Sequence, residues 1–184
     1  GTVNVVSGAD IEKFAAFDFT SLQQQTAGLT LSQPNARNNT ISMRGVSVDP
    51  ESGVSSAVDV YWNDAVVRAD VAFNQMYDLE RIEILRGPQG TMFGRDSTGG
   101  AIRIWTKRPG DEVAGSLTTT VCSYDRMDVR GTIDLPISDT LTTKFTVASM
   151  QRDGYIKSLT TNQDHGAINQ EVMRADIVWE PLDR

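Results

Sequence analysis

The 184-residue sequence predicts two unlike parts: an α+β domain with a small mixed sheet, then a run of antiparallel β-strands. Three observations carry that expectation. Short helical and strand signals alternate as far as Pro109-Gly110; beyond that point the apolar pattern has period two; and five glycines fall between Leu85 and Gly100. The boundary is placed there, giving expected domains 1–110 and 111–184.

In chain order, Ser7 three residues ahead of Asp10 is a capping-box-like start for a short helix with Ile11 and Phe14 on one face. Asp18 is a candidate cap for a second helix carrying Phe19 and Leu22, with Gly28 placed to end it. Short β-prone runs follow at Leu29–Leu31, Ile41–Met43, Val58–Trp62 and Val66–Val67. They are separated by polar stretches read as loops, Ser32–Thr40 and Ser47–Ser56. Arg81–Leu85 and Ala101–Trp105 alternate apolar with polar or charged residues, as half-buried strands do.

In the second part, Met127, Val129, Gly131, Ile133 and Leu135 share one parity, and Arg126, Asp128, Arg130, Thr132 and Asp134 the other. Leu141–Val147 and Met173–Glu180 repeat the pattern, with a weaker version over Ser116–Cys122. Ser123–Asp125 and Pro136–Asp139 are expected turns, and His165 is expected in a solvated loop. This alternation fits a half-buried soluble sheet and a membrane-crossing sheet equally well.

Composition excludes several functions. The formal charge is −7, against wholesale nucleic-acid binding, which needs clustered cations. One cysteine, Cys122, and one histidine, His165, leave no intrachain disulfide and no His/Cys metal cluster. The longest apolar run, Phe14–Phe17, is far short of the ~20 residues a spanning helix needs. No nucleophile, acid/base pair or metal set suggests an enzyme, and no cofactor is expected. The glycine-dense stretch meets neither the dinucleotide nor the P-loop spacing, so a structural connector is the favoured reading from physics alone.

The order of residues in the first part nevertheless resembles the plug domain of TonB-dependent outer-membrane receptors. The resemblance rests on Met43-Arg44-Gly45, on Tyr61–Ala65, and on the signature Leu79–Pro88, Gly90, Phe93-Gly94, Gly99–Ile102 and Thr106–Pro109. The turn Asn63-Asp64-Ala65 lacks the family's usual glycine, although Asn and Asp tolerate left-handed angles.

The resemblance implies that Gly45, Gly87, Pro88, Gly90, Gly94, Gly99 and Gly100 form signature turns. It implies that Arg44 and Arg86 approach glutamates on an inner barrel wall, with Glu80 and Glu83 as alternative partners inside the plug. Ligand-facing loops would include Asn35, Arg37, Asn38, Asp49 and Glu51. After a plug, the alternating strands are expected to be the first of a 22-stranded barrel, with Met127, Val129, Ile133, Leu141, Phe145, Val147, Ile177 and Trp179 toward lipid. About four strands cannot close a barrel, which takes ~8 or more. The chain is therefore expected to be the N-terminal part of a longer receptor, with the family's TonB-contacting box ahead of Gly1.

The implied function is energised uptake of a scarce bulky nutrient, such as a ferric siderophore, cobalamin or a glycan, across the outer membrane of a Gram-negative cell. The implied partners are TonB, the rest of the barrel, outer-membrane lipid and a small-molecule or metal-chelate ligand, with no nucleic acid. A soluble plug-like binding module is the alternative.

Overall fold

The computed structural model describes residues 2–13, 22–23, 26–32, 40–47, 57–73, 75–87, 99–154, 156–157 and 164–181. By internal contacts the chain forms two units, Gly1–Lys107 and Arg108–Arg184.

The first unit runs β1 (Thr2–Ser7), α1 (Gly8–Lys13), β2 (Leu29–Ser32), β3 (Thr40–Met43), β4 (Val58–Trp62), β5 (Ala65–Val67), α2 (Ala69–Phe73), β6 (Leu79–Arg86) and β7 (Gly100–Thr106). Five of these strands form a sheet in the order β1-β6-β7-β4-β5, and β2 pairs with β3 apart from it. Because β4 runs parallel to β7 while the other pairs are antiparallel, the sheet is mixed, as expected.

Alternation places Ile82 opposite Ile104 and Ile84 opposite Ile102, all four fully buried in the core with Met43, Leu22 and Phe73. α1 starts where the sequence indicates: Asp10 N–H donates to Ser7 Oγ at 3.2 Å, and the Ser7 hydroxyl donates to the Asp10 carboxylate at 2.6 Å. Leu22 and Gln23 are helical, whereas Phe14, Asp18 and Phe19 lie outside the described residues. β1 and α2 are not anticipated. Valines on both faces of β1 hide its period, and α2 is too short to show one.

The second unit runs β8 (Ala114–Cys122), β9 (Arg126–Ser138), β10 (Leu141–Arg152), β11 (Ile156–Lys157), β12 (Asp164–His165) and β13 (Ile168–Trp179). Its long strands form an antiparallel sheet, β13-β10-β9-β8, and β11 pairs with β12. Tyr124 and Asp125, both with positive φ, make the expected first turn.

Two expectations fail here. Pro136, Ile137 and Ser138 belong to β9, and the turn shrinks to Asp139 and Thr140. A register shift lets Pro136 face Thr142, so the residue without an N–H sits beside a bulge. His165 lies in β12, opposite Ile156, not in a loop.

This sheet is inverted relative to a soluble one. Met173 and Ile177 are 84% and 68% exposed, while Asp128, Lys144 and Thr146 are 2%, 5% and 2% exposed. Phe145, Val147, Met127, Ile133 and Trp179 are exposed as well. Thr143 departs from its parity: it is buried, and its hydroxyl donates to Leu135 O at 2.8 Å. Among the described residues β8 and β13 are the edges of this sheet, and the barrel is not closed in this chain.

Candidate functional site

The two arginine-glycine steps meet around Gly100. Arg44 and Gly45 are the central residues of a two-residue turn: Met43 and Val46 exchange backbone hydrogen bonds at 3.0 Å, and both central φ angles are positive, 52° and 78°. Arg44 N–H also donates to Gly28 O at 2.8 Å, tying this turn to the chain ahead of β2. Arg86 ends β6, with Thr2 as its register partner on one side and Gly100 on the other.

Gly100 is not in a turn, as the resemblance implies, but opens β7. Its φ is +148°, and a Cβ there would stand 2.3 Å from Leu85 O and 2.5 Å from Met43 Sδ. Only hydrogen fits. Met43 therefore packs directly on the residue paired with Arg86, and this places the Arg44 turn and the end of β6 around one point. Gly87 N–H donates to Gly99 O, and Gly99 N–H to Ala57 O, closing the neck between β6 and β7. Pro88, Gly90, Gly94 and the loop candidates Asn35, Arg37, Asn38, Asp49 and Glu51 lie outside the described residues.

Electrostatics differ between the two arginines' surroundings and the sheet's other charges. Glu83 accepts from Arg81 Nε at 2.7 Å and from Arg103 at 2.9 Å, and Glu80 also accepts from Arg81. Arg103 reaches Asp64 as well, at 2.6 Å. Arg81 and Arg103 stack on Trp105, each 4.7 Å from the ring centroid. The Glu83 hydrogen bond raises the Arg81 pKa above its ordinary value; partial burial opposes this, and the charges of Glu83 and Glu80 add to it. By contrast, Arg86 Nε is buried with no hydrogen-bond partner among the described residues.

Sequence reasoning missed this Arg-Trp-Arg stack. The alternation of Arg81 and Glu83 against Arg103 and Trp105 was visible, but the register that joins them was not.

The turn without its usual glycine survives. Asn63 and Asp64 both take positive φ, 45° and 67°, and the Asn63 amide binds Thr106 through its Oγ1 and backbone N–H. The polar face of the second unit carries paired charges: Asp134 and Asp176 flank Lys144 in register, and Arg174 donates to Asp176 at 2.8 Å. Among the described residues, no group of His, Cys, Asp and Glu could hold a metal ion, and no helix is long and apolar enough to cross a membrane.

The family model for the TonB-dependent receptor plug domain matches residues 1–101. The chain belongs to that family. The pesticin receptor of Yersinia pestis is 30% identical to this chain over 138 residues, 74% of this chain and 20% of that protein. The ferric enterobactin receptor PirA of Pseudomonas aeruginosa is 28% identical over 131 residues, covering 63% and 18%.

Among solved structures, the ferric yersiniabactin uptake receptor FyuA of Yersinia pestis superposes with a TM-score of 0.85 at 26% identity, over 98% of this chain and 29% of that one. The pyoverdine outer-membrane receptor FpvA of Pseudomonas aeruginosa shares the fold, with a TM-score of 0.77 at 17% identity over 98% of this chain and 25% of that one. The chain spans about a fifth of the length of the curated relatives it matches. As a plug-family chain, it joins the mixed-sheet unit to the inverted antiparallel sheet in one polypeptide.

Proposed function

We propose that this chain is the N-terminal part of a TonB-dependent outer-membrane receptor that imports a scarce bulky nutrient into a Gram-negative cell, its plug gating the barrel lumen. The observation that carries the proposal is the inverted sheet following the plug. Exposed Phe145, Val147, Met173 and Ile177 would face lipid, and buried Asp128, Lys144 and Thr146 belong to the polar side. A soluble binding module would have no use for an exposed apolar band of this extent.

Arg44 and Arg86 are proposed to contact carboxylates of the barrel wall. Arg44 stands exposed on its turn, and Glu80 and Glu83 are engaged by Arg81 and Arg103. A planar guanidinium suits a carboxylate better than an ammonium does. Asn35, Arg37, Asn38, Asp49 and Glu51 are proposed, on the family resemblance, as ligand-facing. The domains are proposed as a plug over 1–110 and the first barrel strands over 111–184. Transport of this kind requires no bond chemistry, so no catalytic residue is assigned.

The ligand class proposed first is a ferric siderophore, because two of the proteins that this chain resembles, the ferric enterobactin receptor PirA and the ferric yersiniabactin uptake receptor FyuA, carry that cargo in their names. The test is uptake of radio-iron-labelled ferric yersiniabactin and ferric enterobactin by cells whose receptor contains this chain, with and without TonB. Import that requires both the receptor and TonB supports the proposal. Binding without TonB-dependent import supports the binding-module alternative.

A further inference from the structure

We infer that Arg108-Pro109 is a short, stiff tether between the two units, fastened at Gly110 by the Asp134 carboxylate, and that it retains the C-terminal end of the plug at the barrel wall while the lumen opens. The inference rests on the receptor reading above, in which the plug gates the lumen.

The tether is bracketed by two anchors. In the first unit, Lys107 N–H donates to Asp78 O at 3.1 Å, directly after the last residue of β7. In the second, Gly110 N–H donates to Asp134 Oδ1 at 3.2 Å. Arg108 and Pro109 alone lie between the anchored residues. Three Cα steps separate Lys107 from Gly110, so the two can never stand more than about 11 Å apart. The proline ring fixes φ at Pro109 and drives Arg108 toward extended backbone, which leaves the tether few ways to bend.

Asp134 is well placed to hold its end. It lies on β9 opposite Ala114, the first residue of β8, so Gly110 returns to the register position that β8 takes up four residues later. The Lys144 ammonium stands 3.7 Å from the same carboxylate oxygen, and both side chains are largely buried. A carboxylate accepts an amide N–H more strongly than a neutral carbonyl does, and the lysine beside it fixes where the carboxylate points. Arg108 also reaches Glu180 at 3.6 Å, but both of those side chains are exposed and the pair adds little.

The strand on which the tether acts is the middle one. β7 lies third in the order β1-β6-β7-β4-β5 and carries Ile102 and Ile104 in the core. Retaining the end of β7 at the wall therefore retains the centre of the sheet, whereas edge strands and loops stay free to rearrange. Departure of the whole first unit requires one of the two anchors to open. Asp134 is thus a positioning residue for the gate.

The test uses the complete receptor in cells, with ferric yersiniabactin and ferric enterobactin as imported probes and vancomycin as a bulky solute that a gated lumen excludes. Insertion of Gly-Ser-Gly between Arg108 and Pro109 keeps both anchors and makes the tether long and flexible. Cells carrying the inserted receptor should become sensitive to vancomycin, although Gly110 stays as slow to exchange its amide hydrogen as in the unaltered receptor. Unchanged vancomycin exclusion with normal import would overturn the tether while leaving the receptor reading intact; no TonB-dependent import of either chelate by the unaltered receptor would overturn the receptor reading itself.

Substitutions at the wall anchor give an independent measurement. Asp134→Leu with Lys144→Met removes the acceptor without stranding the lysine, and Asp134→Asn keeps an amide oxygen that can accept Gly110 N–H. Gly110 should exchange at least about tenfold faster in the double variant, the loss expected for a hydrogen bond to a charged group, and near the unaltered rate in Asp134→Asn. Vancomycin exclusion should fail in the double variant and persist in Asp134→Asn. Equal Gly110 exchange in the double variant and the unaltered receptor would contradict the inference.

Discussion

Lys144 Nζ lies 3.7 Å from Asp134 Oδ1 on the buried side of a sheet whose exposed side carries Phe145, the next residue along. Adjacent residues thus sort with the ion pair inward and the aromatic ring outward, the reverse of a soluble sheet. Removing one partner leaves the other charge poorly solvated, so Lys144→Met should cost about 3 kcal/mol, and the double substitution with Asp134→Leu should recover much of that. Urea unfolding of the folded receptor in detergent checks it. A double mutant as unstable as the sum of the singles would contradict the pairing.

Gly100→Ala should be far more damaging than Gly45→Ala. Its Cβ would collide with Leu85 O and Met43 Sδ at an unfavourable φ, for a cost of at least about 2 kcal/mol. Gly45→Ala meets nothing within 4 Å and bears only the left-handed penalty, about 1 kcal/mol. Denaturant midpoints that reverse this order would refute the assignment.

Much of this was legible in sequence because short-range chemistry fixed it. Ser7 with Asp10 announced α1, Asn63 with Asp64 could replace a glycine, and strict parity from Arg126 to Leu135 announced β9 and its two faces. What stayed hidden depends on which strands become neighbours. β1 shows itself only through its pairing with β6, and Trp105 meets Arg81 only through the β6–β7 register. The extension of β9 through Pro136 was hidden because proline ordinarily ends a strand, and only the bulge beside it makes room. Around Gly100, the glycines could be flagged, but the packing of Met43 against that residue is tertiary information.

The Arg81 contribution should be insensitive to pH near neutrality. Its pKa is raised by Glu83, so the stabilisation is fully present below the ordinary arginine value and is lost only as strong alkali is approached. The stability difference between wild type and Arg81→Gln should therefore stay flat from about pH 7 to about pH 9. A slope across that interval would assign the effect to another group.

Arg44 offers a separation of stability from function. Its φ of 52° is unfavourable for a side-chain-bearing residue, so Arg44→Gly should leave the plug as stable or stabilise it by up to about 1 kcal/mol. Loss of the guanidinium should still impair ferric chelate uptake, as should Arg86→Ala, with faster hydrogen exchange across the described residues of β6 and β7. Wild-type transport and unchanged exchange in both variants would remove the proposed wall contacts.

The central claim is that the second unit crosses a membrane with its apolar parity outward, and site-directed spin labelling of the complete receptor in lipid tests it most directly. Labels at Phe145, Val147, Met173 and Ile177 should collide with oxygen dissolved in the bilayer, and labels at Arg130, Lys144 and Arg174 should not. Lipid contact at the second set, or at neither, would contradict the account.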